Sequence, residues 1–106
     1  MDKIAKIKDV MRQLGITPDL KGYHYIEKAV IMLKEDFEKG NIPRGITTVY
    51  NEVGKIFGTT SASIERCIRH SICVARCNET KLFEYLFGNL KTVTVSNFIS
   101  VIAEYI

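Results

Sequence analysis

The sequence predicts an all-α domain of six helices that contains a helix-turn-helix, and three observations carry that expectation. Apolar residues recur at intervals of three and four along most of the chain, the period of a helix with one buried face. Four of these runs stop at or near Gly15, Gly40, Gly58 and Gly88, and glycine is the common residue just past a helix C-terminus. The third and fourth runs are separated only by Gly58-Thr59-Thr60, the short glycine-containing turn of a helix-turn-helix.

The elements follow in chain order. Ile4, Ile7, Met11 and Leu14 share one face of a first helix ended by Gly15. The segment GITPDLKG is a connector, because Pro18 pushes Thr17 away from helical dihedrals. Tyr23, Ile26, Val30, Leu33 and Phe37 mark a longer second helix with Gly40 as its C-cap. NIPRGI is a second connector, after which Thr47 or Thr48 caps a third helix whose Val49, Val53, Ile56 and Phe57 share a face. Gly58 ends it, and a fourth helix runs from about Ser61 to Arg76. A short fifth helix carries Leu82, Tyr85 and Leu86 and stops at Gly88. Thr94 or Ser96 caps the last helix, which gives Phe98, Ile99, Ile102 and Ile106 to the core. The alternation in LKTVTV also fits a short strand, but alone it has no partner.

A chain of 106 residues is long enough to fold around one core without disulfides or a structural metal, so residues 1–106 are expected to form a single domain. With 46% hydrophobic and 25% charged residues, it is not composed like a disordered chain. No apolar run approaches the roughly 20 residues that span a bilayer. The N-terminal MDKIAKIKDVMRQLG is charged and periodic, unlike a signal peptide, and a cytoplasmic location is expected. A net charge of +3 permits nucleic-acid binding without requiring it. There is no Gly-rich phosphate loop, no nucleophile–base order and no pair of carboxylates in an apolar setting, so no enzyme and no cofactor are expected. Asp36 and Glu38, flanking Phe37, are expected to meet water.

The fourth helix carries the functional expectation. At about 100° per residue, Ile64, Cys67, Ile68, Ser71, Ile72 and Ala75 fall on one side. Ala62, Arg66, Arg69, Cys73 and Arg76 fall opposite, with Ser63 and His70 on one flank and Glu65 on the other. A greasy inner face, a basic outer face and small residues at the start are what entry into a DNA major groove requires. Read so, Arg66 reaches a guanine edge, while Glu65 accepts from a cytosine amino group or orients an arginine. Arg69 and His70 hold phosphates, with Lys55, Thr59 and Thr60 as further phosphate partners. The same residues also fit a solvated helix face on a protein-interaction module without a DNA role.

The cysteines offer a third class. Three is an odd number, none precedes Cys67, and a disulfide framework is not expected. His70, Cys73 and Cys77 are spaced to point the same way, with Cys67 or His24 as a fourth zinc ligand in a thiol- or metal-responsive regulator. Structural zinc sites seldom draw three ligands from one helix without a CxxC knuckle, so three reduced thiols, with Cys67 in the core, is the preferred expectation and no metal is assigned.

KGYHYIEKAVIM followed by TTSASIERCIRHSICVA resembles the C-terminal DNA-binding effector domain of the master response regulator of sporulation in endospore-forming bacteria. The resemblance spans nearly the whole chain and is strongest from about Leu20 to Ala75. It implies a six-helix domain that binds a short promoter box in double-stranded DNA as tandem copies, and that regulates transcription partly by contacting RNA polymerase sigma factor. By position it places base reading on Ser63, Glu65 and Arg66, and backbone holding on Arg69 and His70. Members of that family carry Ser-Arg where this chain has Ala62-Ser63, so one arginine contact is absent. Cys73 and Arg76-Cys77 also depart from the family pattern, and the link between Gly88 and the last helix is shorter. Nothing in residues 1–106 resembles the phosphate-receiving domain with which the family's regulator begins.

Overall fold

A computed structural model describes residues 2–106 and places six helices and no strand in them. They are α1 (Lys3–Leu14), α2 (Lys21–Glu38), α3 (Ile46–Phe57), α4 (Ser61–Asn78), α5 (Lys81–Phe87) and α6 (Val95–Tyr105). α2 is the central element, packed against α1, α3, α4 and α6, while α4 also packs on α3 and α6. Four helices start from a side-chain cap: Asp2, Thr60, Thr80 and Thr94 each accept the N–H three residues on, which satisfies an otherwise orphaned donor.

The apolar spacing locates most of the core. Ile7, Met11 and Leu14 of α1, Tyr23, Ile26, Val30 and Leu33 of α2, and Phe98, Ile99 and Ile102 of α6 are all buried. Ile4 is half exposed instead, lining an edge groove with Ile31 and Ile106, and Val10 joins the core. α5 turns Phe83 and Phe87 inward and leaves Tyr85 in solvent. Phe87 stacks on Phe98 with ring centroids 5.2 Å apart, which fastens this two-turn helix to α6. Residues 88–94 form a link, with Val93 tucked into the core, and not a strand.

The third helix starts earlier than its threonines suggest. Gly45, in extended conformation, is the N-cap, and Thr47 and Thr48 lie exposed inside the first turn. The cause is the preceding connector. Arg44 donates its backbone N–H to Asp36 Oδ2 at 3.0 Å, and its guanidinium reaches both oxygens of the same carboxylate at 2.9 and 2.8 Å. A further nitrogen of Arg44 donates to Glu52 on α3. Asp36 is therefore buried and paired, contrary to its expected place in water. One arginine ties the end of α2 to α3 and fixes where α3 begins.

The far end of α3 also differs. Ile56 and Phe57 are largely exposed, because α3 stops within a turn of Val53 and only Val49 and Val53 reach the core. Phe57 instead packs edge-on against Tyr25, centroids 5.0 Å apart. Gly58 sits at φ +67°, a left-handed conformation that costs a side-chain-bearing residue roughly 1 kcal/mol or more. That reversal returns the chain toward α4 after only Thr59 and Thr60.

Candidate nucleic-acid interface

α3 and α4 form the helix-turn-helix, and the start of α4 is fixed from two sides. Thr60 Oγ1 accepts the Ser63 N–H at 3.1 Å, and the Thr59 N–H donates to the Gly54 carbonyl at 2.9 Å. The Ser61 hydroxyl also hydrogen-bonds the Asn51 side chain across the turn. Thr60→Ala should cost about 1 kcal/mol of stability and Thr60→Ser almost nothing, by chemical denaturation, since the cap needs only the hydroxyl.

The faces of α4 lie as its sequence predicts. Ile64, Ile68, Ser71, Ile72 and Ala75 are buried, while Cys67 is only half-buried. Ala62, Arg66, Arg69, His70, Cys73 and Arg76 are exposed, and Ser63 and Glu65 are intermediate. The helix runs two residues past its expected end. There the Asn78 amide donates to the Leu14 and Gly15 carbonyls, closing the C-terminus of α1.

What brings α4 against α2 is Gly22. A Cβ at that position would fall 2.1 Å from Ser71 Oγ and 2.4 Å from the Cys67 carbonyl oxygen, so the two helices touch backbone to backbone. The contact places Lys21, at the start of α2, beside α4. Lys21, Arg66, Cys67 and His70 line one shallow cavity of about 370 Å³. Lys21 is thus a member of the basic surface that helix periodicity does not find. Its signal in the sequence was adjacency to a glycine whose role is only visible in three dimensions.

Arg69 lies on the other flank of α4, where it pairs with Glu65 one turn earlier. Both side chains are substantially exposed, so the pair is worth at most about 1 kcal/mol. Tyr50 of α3 stands close to both. Its hydroxyl pKa is raised by burial and by the Glu65 charge, with Arg69 opposing. The other expected phosphate partners surround the turn: Lys55 is exposed on the last turn of α3, Thr59 is half-buried and Thr60 is exposed.

The basic face therefore gathers residues from α2, the turn and α4. No group of three or more His, Cys, Asp or Glu side chains that could hold an ion occurs among the described residues. Cys73 and Cys77 are exposed free thiols. No helix among the described residues is long and apolar enough to cross a membrane. A family model described as the sporulation initiation factor Spo0A C terminal matches residues 7–106.

Proposed function

The chain belongs to the sporulation initiation factor Spo0A C-terminal family, and from that membership we propose that it regulates transcription by inserting α4 into the major groove of specific double-stranded DNA. The observation that carries the proposal is the outer face of α4. It is basic and made of short residues at its start, and a rigid turn presents it at the end of α3. Ser63, Glu65 and Arg66 stand nearest the helix start and face base edges. Arg69 and His70 take phosphates on the two flanks, joined by Lys21, Lys55, Thr59 and Thr60. Residues 1–106 act as one DNA-binding unit in the cytoplasm, without catalysis. The family resemblance also supports tandem copies on a promoter and contact with RNA polymerase sigma factor.

Two substitutions separate the roles. Arg66→Ala should weaken binding to the preferred site by about 1–3 kcal/mol and blur the choice of base there. Arg69→Ala should weaken all sequences alike and lower the slope of log K against log salt by about one unit. Both are read from anisotropy titrations at several salt concentrations. Unchanged binding of both variants to every duplex would remove α4 from the groove, and would favour a protein-interaction module.

A further inference from the structure

Lys21, Arg66 and His70 edge only one flank of α4. Along the other flank, α3, the second half of α4 and the link before α6 enclose an open cleft of about 710 Å³. Arg69, Arg76 and Lys91 line it together with Tyr50, Thr92 and Ser96, and no carboxylate is among its lining residues. The Arg76 guanidinium carbon lies 5.5 Å from the ring centroid of Phe83, which stands with Glu79 and Glu84 in the adjoining groove, so Arg76 sits on the ridge between groove and cleft. Stacking engages the flat face of a guanidinium and leaves its edge N–H groups free to donate. Neither Arg76 nor Lys91 enters an ion pair among the described residues. Two cations outside any ion pair among the described residues and a third held only by a weak surface pair thus line one cleft, two from α4 and one from the link, in company with hydroxyls. Their complement is an anion that brings several charges in a row.

The width of a helix says which anion. An α-helix with its side chains is about 10–12 Å across and the B-DNA major groove is about 12 Å wide, so a helix lying in the groove presents one flank to each strand. We infer that the cleft bounded by Arg69, Arg76 and Lys91 is a phosphodiester clamp, which grips the DNA strand on the side of α4 away from Lys21. The clamp rests on the groove placement of α4 proposed above. It extends the phosphate contacts to the second half of α4 and to the link before α6, where base reading is not expected.

The test is the salt dependence of binding by the full chain, using a promoter duplex of the family and a scrambled duplex. Lys91→Gln should lower the slope of log K against log salt by about one unit, and Arg76→Gln with Lys91→Gln by about two. The loss should be the same on both duplexes, because phosphates carry no sequence. Lys91 is exposed, so the single variant reports on the clamp even if loss of the Phe83 stack disturbs the double variant. If Arg69→Ala flattens the slope while Lys91→Gln keeps the parent's slope and affinity, the clamp is wrong and the groove placement stands. A parent chain that binds neither duplex overturns both.

Discussion

Arg44→Ala should lower the free energy of unfolding by about 3 kcal/mol at neutral pH, measured by urea denaturation. The substitution strands the carboxylate of Asp36, whose side chain is only 9% exposed, without the guanidinium and with a loosened connector around it. Removing one partner of a buried ion pair typically costs about 3–5 kcal/mol, and the lower end applies because Arg44 is itself partly exposed. The same network sets an acid dependence. Hydrogen bonds from the Arg44 guanidinium, then from its backbone N–H, hold the Asp36 carboxyl down at about 2 against an ordinary 3.8. Because the folded-state pKa is depressed, the unfolded chain binds more protons in that interval. The stabilisation is therefore intact above about pH 4 and is lost as pH falls toward 2. Parent and Arg44→Ala should converge across that window. A paired replacement, Asp36→Leu with Arg44→Met, should recover only part of the loss: it leaves no stranded charge, but the backbone N–H at position 44 loses its acceptor. A variant within 0.5 kcal/mol of the parent, a span that ordinary surface substitutions cover, would show that the network does not hold the connector.

Gly22→Ala is the second large effect. Alanine in place of a helical glycine gains about 1 kcal/mol in propensity, whereas forcing atoms into a filled contact costs about 1–3 kcal/mol and occasionally more. Here the new methyl would lie 2.4 Å from a backbone oxygen, which cannot rotate away, so the contact term wins. A net loss of about 2 kcal/mol is expected by thermal or chemical denaturation. Adding Ser71→Ala should restore only part of it, because the Cys67 carbonyl stays in place. Since Gly22 sets the spacing of α2 and α4, the variant should also lose DNA affinity by displacing Lys21 from Arg66 and His70. Stability equal to the parent's would mean that the helices separate at little cost.

The parts of this fold that are legible in the sequence are those governed by local period and local capping. Ile26, Val30 and Leu33 announce a buried stripe because each is one turn from the next. Gly58 announces the reversal between α3 and α4 because few other residues tolerate its backbone. The faces of α4 follow from the same period. What the period does not show is where an element meets something distant. Asp36 sits among charged residues on α2, and only Arg44, eight residues on in a connector, makes it a buried anchor. Ile56 and Phe57 continue an apolar stripe past the point where α3 has a neighbour to cover it. α5 is too short for its period to reveal that Phe83 and Phe87 turn inward. The basic surface divides the same way. Arg66, Arg69 and His70 lie on one helix and can be placed by angle, whereas Lys21 and Lys91 join them only through tertiary packing.

Specific recognition of DNA by α4 is read out by a single titration. Fluorescently labelled promoter duplex of the family and a scrambled duplex of the same length are titrated with the chain at two salt concentrations. The expected result is tighter binding of the promoter duplex at both salts, with both affinities falling as salt rises because phosphate contacts release counterions. Equal affinity for the two duplexes at both salt concentrations would contradict sequence-specific reading by Ser63, Glu65 and Arg66.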